Sequence, residues 1–180
     1  GDSNVGLGFN ALGATTTGTE NIAIGTNAML ANTTGASNVG IGTYALNANT
    51  TASNNTAVGY QALNSNTTAS NNNAIGQGAG YSNTEGHSNN YIGRNAGYTN
   101  VTGTANTAMG HNALHTNTAS NNTAVGFQAG YSNTTGGTLT SLGYQAAFTQ
   151  TTANANTAVG YRAGYSTTTG GLNTAIGVEA

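Results

Sequence analysis

The sequence predicts an all-β chain: a parallel β-solenoid (β-roll or β-helix) of about eleven short coils. Three observations predict it. Eleven glycines, Gly8, Gly25, Gly42, Gly59, Gly76, Gly93, Gly110, Gly126, Gly143, Gly160 and Gly177, recur every 17 residues, except that Gly110 and Gly126 are 16 apart. The residue before each is always Leu, Ile, Val or Met, and the third residue after it is always Ala. There is no proline in the 180 residues, as suits a chain committed to hydrogen-bonded ladders. A period this short is a single supersecondary unit that buries its apolar surface by stacking on copies of itself.

The units begin at Asn4, Asn21, Asn38, Asn55, Asn72, Asn89, Asn106, Asn122, Leu139, Asn156 and Asn173, four residues before each marker glycine. They form one solenoid domain over 1–180. The chain opens at Gly1 just before a unit and stops at Ala180 inside one, so a fragment of a longer array is expected. Within a unit, positions 2 to 6 read as a first strand and positions 11 to 14, often Asn-Thr-Thr, as a second. Strand side chains alternate between faces. With the aliphatic fourth position assigned to the core, the second joins it, while the small third and fifth positions face outward. That small face suggests oligomerisation by close backbone approach. The competing reading is that the glycine supplies a bulge or a positive φ within one chain.

Positions 9 and 10 trade bulk. Leu12-Gly13 and Leu63-Asn64 place the large group first, whereas Gly80-Tyr81, Gly97-Tyr98, Gly130-Tyr131 and Gly164-Tyr165 place it second. One volume filled by either route is the expectation. The remaining small polar residues turn the chain back. The short unit lacks one Thr within 115–121, which a turn can absorb. Coils stacked at strand spacing give a rod of roughly 50 Å, held largely by backbone ladders and stacked like side chains, Asn included.

Composition narrows the function. Charged residues make up 3% of the chain and the net charge is −2, leaving no electrostatic basis for nucleic-acid binding. No apolar run approaches the roughly 20 residues that span a bilayer, so no membrane insertion within the segment is expected. There is no Cys for disulfides or thiolate metal sites. Glu20 and Glu85 lie four coils apart, roughly 19 Å along the axis, too far for the paired carboxylates of catalysis. His87, His111 and His115 lack a further ligand for a metal. The expectation is a chain with no catalytic, cofactor-binding or metal site, in which the eleven glycines are the structural residues.

The unit Asn55-Thr56-Ala57-Val58-Gly59-Tyr60-Gln61-Ala62 resembles the head repeat of YadA-like trimeric autotransporter adhesins. Asn21-Ile22-Ala23-Ile24-Gly25 and Asn173-Thr174-Ala175-Ile176-Gly177 are close to it as well. It is similar, too, to the repeat arrays of phage tail fibres, as in Asn156-Thr157-Ala158-Val159-Gly160-Tyr161-Arg162-Ala163. The resemblance covers the whole chain. It implies a left-handed, trimeric coil on a cell surface or virion. The implied role is an extracellular shaft or adhesive head, with surface glycans or a host receptor as outside partners.

Other readings attach to particular columns. Phe127, Tyr144 and Tyr161, and Tyr131, Phe148 and Tyr165, stack either as a glycan platform or, the preferred reading, as a structural ladder. Sequons place Asn32, Asn49, Asn66, Asn100 and Asn133 in one column, with others at Asn54 and Asn121, so a glycosylated rod is expected if the column is exposed. Positions 12 and 14, as in Asn32 with Thr34 and Asn66 with Thr68, would share a face that orders water, the basis of an ice-binding alternative. End-to-end stacking into a filament is a further expectation.

Overall fold

The computed structural model describes residues 1–180. Each unit contributes one three-residue strand: β1 (Val5–Leu7), β2 (Ile22–Ile24), β3 (Val39–Ile41), β4 (Thr56–Val58), β5 (Asn73–Ile75), β6 (Asn90–Ile92), β7 (Thr107–Met109), β8 (Thr123–Val125), β9 (Thr140–Leu142), β10 (Thr157–Val159) and β11 (Thr174–Ile176). They pair in chain order into one parallel sheet, each residue opposite its copy in the next unit. There is no helix. The chain is therefore an all-β parallel β-solenoid with a spacing of about 17 residues. The short unit keeps register, with Thr107 opposite Thr123. Its missing residue is absorbed where Asn117 Nδ2 donates to the carbonyl of Ala119; in other units the equivalent Asn reaches one residue further, as Asn66 does to Ala69.

The expected second strand does not form. Positions 11 to 14 are turns and bends, yet they are bonded from coil to coil. Both the amide and the Oγ1 of Thr33 donate to the carbonyl of Thr50, at 2.9 and 3.0 Å. Of 117 backbone hydrogen bonds only 20 lie within strands, so cohesion between coils resides mainly in the turns.

Left-handed residues explain how turns ladder so well. Gln61, Leu63 and Asn71, at positions 7, 9 and 17, have φ of 58°, 48° and 62°. Their amides donate to neighbouring coils, to Thr43, Ala79 and Ser53 respectively. A left-handed L-residue costs on the order of 1 kcal/mol, and the axial hydrogen bond offsets it. The marker glycine has a different reason. At Gly93 φ is +129°, and an added Cβ would lie 2.6 Å from the carbonyl oxygen of Gly110. The close backbone approach is thus between successive coils of one chain.

The side-chain parity is the reverse of that expected. Third-position residues such as Ala23, Ala57 and Ala74 are fully buried, as is the eighth-position alanine column from Ala28 to Ala163. The second and fourth positions face outward: Ile41 is 37% exposed and Ile75 41%. Opposite a buried ninth-position side chain, the third position has no room for a branched residue. At Gly40, even a Cβ would sit 3.0 Å from Met29 Cε. At that position Ala fits opposite a buried Leu or Met and Ile does not, so local volume overrides hydrophobicity.

The ninth and tenth positions do not share one volume. Met29, Leu46, Leu63 and Leu114 point inward and are fully buried, whereas Tyr81, Tyr98 and Tyr131 are half-buried at the surface. Beside the small ninth-position residues Gly80, Gly97 and Gly130 the core is filled by larger side chains, whereas Gly164 has only Ala158 and Ala175 near it. The ring of Tyr91, a third-position residue, occupies the space beside Gly80 and Gly97; a Cβ at either position would overlap its ring carbons. Leu139, which replaces the first-position Asn, fills the space beside Gly130. Tyr91 and Leu139, two of the departures from the repeat pattern, thus take up space that missing leucines leave.

Candidate functional site

Two buried amide ladders run along the axis. At position 1, Asn38 donates from its backbone amide and from Nδ2 to Oδ1 of Asn21, at 3.0 and 3.1 Å. At position 12, Asn66 Nδ2 donates to Asn49 Oδ1 at 3.0 Å and to the carbonyl of Ala69 at 2.9 Å. Such ladders satisfy most of the amides that would otherwise be costly to bury; Asn72 Nδ2 and Asn133 Oδ1 are the members left without a partner. Leu139 interrupts the first ladder, and in the same unit Gln150 stands in place of Asn at position 12. The longer side chain repairs the gap by accepting from Asn156 Nδ2 at 2.9 Å.

The position-12 column decides two expectations. Asn32, Asn49, Asn66, Asn100 and Asn133 are each at 0% exposure. Their amide nitrogens are engaged inside the coil. A glycan has no room there, so the expected exposed acceptor column is absent. The water-ordering face built from positions 12 and 14 fails for the same reason, because only position 14 faces solvent. The sequons at Asn54 and Asn121 are exposed.

The aromatics form a ladder on the coil's edge. Rings at position 10 stack from Tyr81 through Tyr98, His115, Tyr131 and Phe148 to Tyr165, with centroids 5.0 to 5.3 Å apart. Phe127, Tyr144 and Tyr161 stack likewise at 5.1 and 5.3 Å. A sugar platform needs open ring faces. Here each inner ring's faces are covered by its neighbours, which leaves the edges in solvent and favours the structural reading.

The titratable groups are scattered. His87 Nδ1 accepts from the Ser70 amide at 3.0 Å, and no three His, Cys, Asp or Glu side chains converge to hold a metal. Glu20 accepts from Ser37 Oγ at 3.0 Å. Arg162 pairs with Glu179 at 3.2 Å and lies 4.1 Å over the Tyr165 ring. Burial lowers the pKa of His115, with neighbouring His111 adding to the effect. Burial raises the phenol of Tyr91 far above its ordinary value, and the hydrogen bond from Asn100 opposes the rise. The largest hollow, about 470 Å³, lies at the last rung among Arg162, Tyr165, Thr167 and Glu179. It is open to solvent rather than an enclosed cleft.

The surface with most character is the outer wall of the sheet. Its fourth-position column runs from Leu7 through Ile24, Ile41, Val58, Ile75, Ile92, Met109, Val125, Leu142 and Val159 to Ile176 without a polar or charged residue. The second-position column beside it is Val5, Ile22 and Val39, then Thr or Asn. Tyr60, Phe127, Tyr144 and Tyr161 stand exposed at position 6, two residues beyond the aliphatic column. A continuous apolar wall of this kind is the usual mark of an interaction surface. Sequence reasoning missed it by placing these residues inside. Comparison with protein-family models, with curated proteins and with solved structures finds no match to the chain. No helix is long and apolar enough to cross a membrane.

Proposed function

We propose that the chain is a non-catalytic segment of an extracellular fibre, the shaft or adhesive head of a bacterial surface adhesin or phage tail fibre, working as a homotrimer. The observation that carries this reading is the uninterrupted outward-facing aliphatic column, one residue per coil over all eleven strands. Three copies that turn this wall toward a common axis would remove it from water, a driving force of roughly 25 cal/mol per Å² of apolar area. The self-contact therefore moves from the small-residue face expected from sequence to the branched-residue face. The left-handed coil implied by the resemblance belongs to the same reading. Receptor or glycan contact then falls to the remaining surface, repeated along the rod and multivalent.

Native mass and sedimentation test this. A trimer at micromolar concentration is expected. Replacing Val58 and Ile75 with Asp should release monomers that keep the β-sheet circular dichroism of the parent. A monomeric parent would overturn the reading.

A second reading uses the same wall. From Thr107 onward every unit pairs an outward Thr with an outward aliphatic residue, as in Thr123 with Val125 and Thr157 with Val159. This flat, evenly spaced array supports an ice-binding role if the wall stays exposed. It predicts a monomer with thermal hysteresis above that of a control protein, and a trimer without hysteresis excludes it.

A further inference from the structure

The chain has an unusual redox inventory. It lacks Cys and Trp, and it has two Met and nine Tyr. Met29 is fully buried, which leaves Met109 as the exposed thioether. Outer-sphere one-electron oxidation therefore falls mainly on the tyrosines. Tyr91 is set apart, because its ring is buried and its hydroxyl is bonded to Asn100. Tyr44 and Tyr60 meet edge to face at 6.5 Å and 77°. In the position-10 ladder His115 separates Tyr98 from Tyr131, and Phe148 separates Tyr131 from Tyr165. Two Tyr–Tyr pairs remain with parallel, overlapping rings. Tyr81 and Tyr98 lie 5.0 Å apart at 7°, and Tyr144 and Tyr161 lie 5.3 Å apart at 9°. All four are at least partly exposed to solvent.

We propose that these two pairs are sites of oxidative cross-linking, where a one-electron oxidant of the peroxidase class joins adjacent coils through dityrosine. Each phenol of a pair gives up one electron and its hydroxyl proton, which leaves two phenoxyl radicals. The radicals couple by forming a carbon–carbon bond between one Cε of each ring. The two hydrogens on those carbons then move as protons to the oxygens and restore both phenols. One hydrogen peroxide accepts the two electrons and two protons and leaves as two waters. The ladder holds both partners side by side before oxidation, so coupling within a chain outruns encounter between chains. Each product closes a loop between neighbouring coils and stiffens the rod as a disulfide would, in a chain that has no cysteine for that purpose.

The test treats the folded full chain at low concentration with a haem peroxidase and hydrogen peroxide, then denatures it and digests it with trypsin. Trypsin cuts only after Arg94 and Arg162, because the chain has no other basic cleavage residue. A Tyr81–Tyr98 bond joins peptide 1–94 to peptide 95–162. A Tyr144–Tyr161 bond makes peptide 95–162 lighter by two hydrogens and adds no partner. Both species are expected, with dityrosine fluorescence. Tyr98→Phe should abolish the joined peptides and spare the internal bond, and Tyr161→Phe should do the reverse. Phe keeps the ring stack, so neither variant should lose the fold, and circular dichroism checks that. Joined peptides that persist in Tyr98→Phe would overturn the proposal. So would bonds formed mainly between chains.

Discussion

Replacing Tyr91 with Ala should open a cavity in the middle of the rod. The ring is 1% exposed and fills the space that absent leucines leave beside Gly80 and Gly97. Deleting a fully buried aromatic costs about 3–5 kcal/mol. The accompanying polar loss is small, because Asn100 Nδ2 keeps its bond to the Gly103 carbonyl at 2.7 Å. A value near 4 kcal/mol is therefore expected. The compensation makes a sharper statement. Adding Gly80→Leu and Gly97→Leu to Tyr91→Ala recreates the Ala-with-Leu packing seen at Ala57 and Leu63, and should recover most of the loss. Left-handed φ does not forbid these leucines, since Leu63 already adopts 48°. Gly97→Leu alone, with Tyr91 in place, should destabilise by overpacking. Guanidinium unfolding followed by far-ultraviolet circular dichroism reads all four proteins, and hydrogen exchange localises the effect to the central coils. In a solenoid, a weak central unit can split the transition in two. A loss below about 1 kcal/mol in Tyr91→Ala, against the usual aromatic-to-Ala range, or a triple variant no better than the single one, would refute the packing argument.

Other perturbations separate the remaining forces. Gly93→Val should cost several kcal/mol in chemical denaturation, because its Cβ meets the Gly110 backbone at 2.6 Å in a φ region closed to valine. Asn66→Ala should cost about 3 kcal/mol by the same assay, since it removes a buried side chain that bonds Asn49, Ala69 and Asn83; Thr68→Ala, on the exposed fourteenth position, should change almost nothing. His115 gives a pH dependence of definite sign. Its folded pKa is lowered from 6.5, so the unfolded chain binds the proton more readily. Its contribution is complete above about pH 6.5 and is lost as the pH falls through that value toward the folded pKa. The melting temperature of the parent should therefore drop over that window relative to His115→Tyr, which keeps the ring stack without the titration.

The repeat period, strand position and register were legible because they rest on recurrence alone. Each first strand falls within the expected positions 2 to 6 but covers only positions 2 to 4, because the marker glycine at position 5 takes a positive φ and ends it. Which face points inward was not legible from hydrophobicity. Alternation fixes that Ala57 and Val58 face opposite ways, and only the coil's cross-section decides that Ala57 goes in. The signal was nevertheless present: a third position that is almost always Ala or Gly states the size of the space it occupies. The Asn column at position 12 misled in a similar way. Its sequon pattern suggested a surface, whereas an identical amide every 17 residues, beside a Gly or Ala at position 15, is the signature of a buried ladder. Leu139, Ser141 and Gln150 fall in one unit and depart from the pattern together. Ser141 keeps its hydroxyl satisfied through the Ala146 carbonyl, while Leu139 and Gln150 are coupled through the neighbouring Asn156.

The inverted parity changes what limits this fold. In most domains the largest apolar side chains define the core, and stability grows with their burial. Here the axis is lined by alanine and amide columns with a few large side chains, such as Leu46, Leu63, Tyr91 and Leu114, filling the space between them, and many intercoil hydrogen bonds lie outside the strands. The interior is thus filled without the aliphatic residues of the wall, whose retention in every unit needs another cause. β-propensity accounts for some of it, because Val and Ile suit a pleated surface. It does not account for the two columns behaving differently. The second position drifts from Val and Ile to Thr and Asn, while the fourth stays apolar in all eleven units. Both are strand positions on one face, so local propensity acts on both alike. It is this difference between neighbouring columns that supports the proposed trimer contact over a bare wall.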